Sequence, residues 1–168
     1  MSLSRQALRV GAEAGLLLGV LGGILWATGR PFVFPSLGPT AFVLALRPRQ
    51  HSARNVIGGH LWGVIGGLVA YHLLAADLVL TALPPKRTID AARLGTSGAF
   101  SVLLTSIGMI LTRTVHAPAC ATTLIVSLGL LTSPMDGVAI MTAVATLQAL
   151  HWSLCNVWPK YLPPRCEL

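Results

Sequence analysis

Four stretches of this chain, about Ala7 to Thr28, Val56 to Ala76, Leu94 to Thr112 and Gly137 to Val157, run almost wholly on apolar side chains. Within them the only Asp, Glu, Lys or Arg residues are Arg9 and Glu13. About 20 residues of helix at roughly 1.5 Å each cross a hydrocarbon core. A backbone in lipid must satisfy its own N–H and C=O groups, so the expected fold class is all-α, a polytopic membrane protein. The charge content agrees: 10% of residues are charged, against about 25% in soluble domains.

Two further apolar segments are shorter and interrupted, FVFPSLGPTAFVLAL from Phe32 to Leu46 and VHAPACATTLIVSLGLL from Val115 to Leu131. Each has proline and small or hydroxyl residues first and a clean helical run second. Proline disfavours helix before it and favours a helix start at it, so each reads as an extended stretch feeding a half-helix. About six extended residues at roughly 3.3 Å and about nine helical ones at roughly 1.5 Å give some 33 Å, enough to cross. The expectation is therefore about six spans in a single transmembrane domain covering residues 1–168.

The charges test that count. The chain has 12 basic and 5 acidic residues, a net +7. With the N-terminus inside, Arg5, Arg9, Arg47, Arg49, Arg54, Arg113, Lys160 and Arg165 fall on the inner side, and Arg30, Lys86, Arg87 and Arg93 on the outer. That bias follows the positive-inside rule. It places both termini in the cytoplasm, with a bacterial inner membrane as the expected location. Basic residues in gaps between apolar runs suit lipid headgroups and are not a nucleic-acid footprint. The first span carries no small-residue cleavage site and reads as retained. The tail WPKYLPPRCEL reads as an interfacially anchored, non-helical end.

The order span, broken span, span occurs twice, over about residues 7–76 and 94–157. Three crossings per unit invert the second copy relative to the first, a pattern of transporters and channels. The two half-helices then start near the midplane with their N-termini facing each other. Each such end carries roughly half a positive charge, so the pair suits a small monovalent anion. Broken backbone at that depth has to be buried or line a cavity. The candidate pathway residues are Ser36, Leu37, Gly38, Pro39 and Thr40 in the first break, and His116, Pro118, Ala119, Cys120, Thr122 and Thr123 in the second. His60 joins them as an ionisable side chain inside a span. His151, with Gln148 on the same face, is a weaker candidate, and His72 lies near a helix end. Gly19, Gly22 and Gly23 in the first span and Gly59, Gly63, Gly66 and Gly67 in the third have spacings that let helices approach closely. Packing alone is the rival reading of the breaks.

At these positions the chain resembles the HPP family of integral membrane proteins. The matching stretches are PSLGPTAFVLALRP and RNVIGGH, between Pro35 and His60, and HAPACATTL from His116. The family's His-Pro-Pro reads His116-Ala117-Pro118 here. Some relatives are described as nitrite transporters, so the resemblance implies permeation of a small anion, nitrite first among them. A pore for small neutral solutes and a non-transporting scaffold or accessory subunit remain as alternatives. No HExxH, Ser/His/Asp or paired-carboxylate arrangement is present, so an enzyme is not expected. Nor is a cofactor or structural metal, since Cys120, Cys155 and Cys166 lack CxxC spacing. The expected partners are the anion, the lipid bilayer and further copies of the chain, because so short a chain needs cover for its glycine-rich faces.

Overall fold

The computed structural model describes residues 3–29, 31–47 and 51–157. Among the described residues six α-helices follow one another: α1 (Leu3–Thr28), α2 (Val33–Leu46), α3 (Ala53–Ala70), α4 (Ile89–Leu111), α5 (Ala119–Ser127) and α6 (Pro134–Val157). A single π-helical turn, Tyr71–Ala75, prolongs α3. Among the described residues four helices are long and apolar enough to cross a membrane: Gln6–Ala27, Ala53–Ala75, Ile89–Leu111 and Pro134–Asn156. These are the four long runs read from the sequence. The tail from Trp158, Arg30 and residues 48–50 lie outside the described residues, and so do the expectations placed on them.

Local chemistry sets the helix ends. Ser52 accepts a bond from Asn55 N at 3.2 Å to open α3, and Thr88 accepts one from Ala91 N at 3.3 Å to open α4. Ser133 and Asp136 cap each other reciprocally at the head of α6, each side chain taking the other's amide at 3.1 Å. Pro134 follows at the first helical position, where its missing N–H costs nothing. Helix α5 stops at Gly129, which sits at φ 85°. Leu130 N bonds Ile125 O at 3.1 Å and Gly129 N bonds Val126 O at 3.1 Å, the paired closure that a left-handed residue permits. A Cβ at Gly129 would also collide with Leu78 O.

Helix α3 packs against α4, α5 and α6, while α2 packs against α1, α5 and α6. The main apolar core joins Leu17 and Leu21 of α1, Leu37 and Leu44 of α2, Val56 and Val64 of α3, and Ile140, Val144 and Leu147 of α6. The glycines of α3 admit their neighbours to backbone distance. A Cβ at Gly63 would stand 2.9 Å from Ala119 O, and one at Gly67 would stand 2.7 Å from Val126 Cβ. At Gly66 it would stand 2.6 Å from Thr105 Oγ1. The expected close approach is therefore made on this helix. It is not made by α1 within the chain: Gly19 and Gly23 have nothing within 4 Å, and Gly22 meets only Phe34 at 3.8 Å.

One expectation needs correction. The first break is not an extended stretch feeding a half-helix, because α2 is helical from Val33 through both prolines. Pro35 occupies the third position of the helix, where the amide has no intrahelical partner to lose. Pro39 lies inside the helix and removes one bond, a local cost that the buried face Ser36, Leu37, Thr40, Ala41 and Leu44 offsets. Ahead of the nine-residue α5, residues 112–118 are not helical.

Candidate functional site

The approach to α5 is clamped against α3 before it reaches the helix. Arg113 ends α4 in the left-handed region at φ 56°, which turns the chain back. Thr112 Oγ1 accepts from Trp62 Nε1 at 3.0 Å and lies 2.8 Å from Thr114 Oγ1. Arg54 reaches Thr112 O at 3.0 Å. Thr114 then rests on Gly58 and the Cβ of His116 on Gly59, each where an added Cβ would fall within 2.7 Å. The two glycines thus fix where the His116 ring can go.

From there α5 begins with a tight lead-in. Ala119, Cys120 and Ala121 amides bond to the carbonyls of His116, Ala117 and Pro118 at 3.0–3.1 Å. Those three amides are thus taken up within the lead-in, and the positive end of α5 comes three residues after His116 in the chain.

Four side chains from three elements meet at this point. Thr40 Oγ1 of α2 lies 2.9 Å from His60 Nε2 of α3 and 3.2 Å from His116 Nε2. His60 Nδ1 lies 2.8 Å from Thr122 Oγ1 of α5. Thr40, His60 and Thr122 are fully buried and His116 is 1% exposed, so the cluster is closed to water. Every side-chain polar atom in it is bonded except His116 Nδ1, which is buried without a partner among the described residues. That exception is informative: a polar network serving only to hold helices satisfies its members, because an orphaned buried group costs about 1–3 kcal/mol. The His60 and His116 ring centroids are 5.4 Å apart.

A third imidazole adjoins them. His51, immediately before the cap of α3, stands edge-on to His116 with ring centroids 5.3 Å apart, and its Nδ1 also lacks a partner. Burial pushes the His51 pKa down, and the charges of Arg47 and His151 push it further. His51 is thus neutral at pH 7. Beyond it, His151 Nδ1 meets the Glu13 carboxylate at 3.2 Å across α6 and α1.

Compared with known families, the chain matches the HPP transmembrane region over residues 3–161. It belongs to the HPP family. The match covers nearly every described residue, so this HPP chain is a multi-pass integral membrane protein in contact with the lipid bilayer. No curated protein and no solved structure matches it.

Of the residues singled out in the HPP sequence, Thr40, His60, His116 and Thr122 come together. Ala119 is buried against Gly63, and Pro118 and Cys120 flank the start of α5 half-buried. The rest lie elsewhere. Ser36 bonds Val33 O of its own helix at 2.7 Å, and Leu37 belongs to the apolar core. Pro39 is exposed, and a Cβ added at Gly38 would meet nothing within 4 Å among the described residues. Thr123 turns away to Thr105 at 3.0 Å. His72 is exposed near Thr132 O, at 3.2 Å. His51 was missed by sequence reasoning: it sits within the Arg47 to Arg54 run, whose charges read as a topology signal. Its signal was being the one titrating residue in a short, otherwise permanently cationic connection.

Proposed function

We propose that this HPP protein is a transporter for a small monovalent anion, nitrite first among candidates, and that the anion passes the Thr40–His60–His116–Thr122 cluster. The observation that carries this reading is the buried, unpartnered His116 Nδ1 at the start of α5. An imidazole N–H there, added to a helix start, offers an anion hydrogen bonds and positive potential without a competing carboxylate. Only one helix start serves the cluster. The start of α2 lies seven residues before Thr40, roughly 10 Å along the axis, so the expected pair of opposed helix ends is replaced by one helix end and two imidazoles.

Inverted architecture is supported by the packing. Exchanging α1 with α4, α2 with α5 and α3 with α6 turns each of the main helix contacts into another that is also made. The first repeat would then cover about residues 7–76 and the second about 94–157, with α2 and α5 completing six crossings. Helix ends pair as that topology requires. The start of α3 meets the end of α4 through Arg54 and Thr112, and the end of α3 meets the start of α4 through Leu74 O and Arg93 at 3.0 Å. Because the cluster is shut off from both faces, passage proceeds by alternating exposure of an occluded site, not through a standing pore. Both termini are assigned to the cytoplasm of a bacterial inner membrane by the inner excess of arginine.

Purified protein in liposomes is expected to give saturable nitrite uptake above that of empty vesicles. Uptake equal to the empty control contradicts the transport class. Preference for urea over nitrite favours the neutral-solute pore instead.

A further inference from the structure

The Thr40 hydroxyl stands between two ring nitrogens, His60 Nε2 and His116 Nε2, at 2.9 and 3.2 Å. A hydroxyl carries one hydrogen, so it donates to one ring and accepts from the other. With both rings neutral, they are forced into opposite tautomers. In one state His116 Nε2–H donates to Thr40, Thr40 donates to His60 Nε2, and His60 Nδ1–H donates to Thr122. His116 Nδ1 is then a bare lone pair. In the other state Thr122 donates to His60 Nδ1, His60 Nε2–H donates to Thr40, and Thr40 donates to His116 Nε2. His116 Nδ1 then carries a hydrogen.

Conversion of the first state to the second is a balanced proton movement. One proton binds His116 Nδ1; the Nε2 proton of His116 passes to Thr40 oxygen; the Thr40 proton passes to His60 Nε2; the Nδ1 proton of His60 passes to Thr122 oxygen; and Thr122 gives up its own hydroxyl proton to the anion. One proton enters and one leaves, with no redox change. The acceptor at the entry end is the buried His116 Nδ1, without a partner among the described residues, and the His51 ring stands edge-on to the His116 ring with centroids 5.3 Å apart.

We propose that His116, Thr40, His60 and Thr122 form a proton relay, loaded through His51, that carries one proton with each anion. This rests on the anion-transport reading of the same cluster. The proton explains why an anion site buried in lipid is served by imidazoles: a co-transported proton cancels the charge that burial penalises. The groups bearing on the loading end are Arg47 from the end of α2 and His151 of α6, with Glu13 of α1 behind it. Burial, the Arg47 charge and His151 disfavour a proton resting on His51, so it passes the proton on.

The test uses full-length protein in liposomes loaded with a pH-sensitive dye, with nitrite added outside and the membrane potential clamped by potassium and valinomycin. Empty vesicles supply the correction for nitrous acid leak. Wild-type protein is expected to move one proton per nitrite at a rate independent of the clamped potential. Thr40→Val keeps the side-chain shape and removes the hydroxyl; its proton-to-nitrite ratio falls toward zero and its remaining nitrite flux follows the potential. Thr40→Ser restores the ratio, and Thr122→Val repeats the test if Thr40→Val does not fold. Potential-driven nitrite flux without protons in the wild type overturns the relay and leaves the anion reading standing. A full ratio in Thr40→Val also overturns the relay. No flux of nitrite or protons above the empty control overturns both.

Discussion

Gly63→Ala and Gly67→Ala each lower the stability of the folded protein by about 1–3 kcal/mol, the usual cost of forcing extra carbon into a filled interface. The alanine Cβ at position 63 would press on Ala119 O, and that at position 67 on Val126 Cβ at 2.7 Å and Thr123 O at 3.0 Å. Carbonyl oxygens and Cβ atoms are set by the backbone, so α5 must shift bodily away from α3, and its start carries His116. Both variants should therefore lose transport along with stability. Gly19→Ala on α1 is the control, with nothing within 4 Å of the added carbon. Alanine in a helix interior is favoured over glycine by roughly 0.5–1 kcal/mol, so Gly19→Ala should be neutral or slightly stabilising within one copy. Thermal unfolding in detergent measures all three. Equal midpoints across the set would mean that α3 and α5 are not packed as described.

His116→Ala lowers nitrite flux by about ten- to a hundredfold, equivalent to the roughly 1.5–3 kcal/mol of a hydrogen bond to a charged group. The ring is 1% exposed and reaches Thr40 through Nε2 and nothing through Nδ1. Alanine removes the only unsatisfied nitrogen of the four-residue cluster and cuts His51 off from His60. Flux that remains should also lose its dependence on pH, because the ring that takes up the proton is gone. His72→Ala, on an exposed ring at the far end of α3, should leave flux unchanged. Wild-type flux and pH dependence in His116→Ala would remove this residue from the pathway.

Much of this was legible in the sequence because lipid leaves few options. Runs such as Leu94 to Thr112 have no charged residue, and in a bilayer that fixes both helix and span. The close approach that the glycine spacing of α3 allows was readable for similar reasons. The state of α2 was not. Two prolines four residues apart look like a break, yet Pro35 falls where no amide is needed and the buried face of the helix outweighs the single bond lost at Pro39. Sequence also could not say which hydroxyls turn inward. Thr122 and Thr123 are neighbours, but about 100° apart on the helix, so one meets His60 and the other Thr105. His51 was hidden because its partner, His116, comes from the other half of the chain and only folding brings the rings to 5.3 Å.

The central claim is that the anion binds at the imidazoles of His60 and His116. Nitrogen-15 NMR of histidine-labelled protein in lipid, titrated with nitrite, tests it most directly. Saturable shifts in the ring nitrogens of His116 and His60, with those of His72 unmoved, are the predicted result. Ring signals that stay fixed while the same sample transports nitrite would place the anion elsewhere and contradict the account.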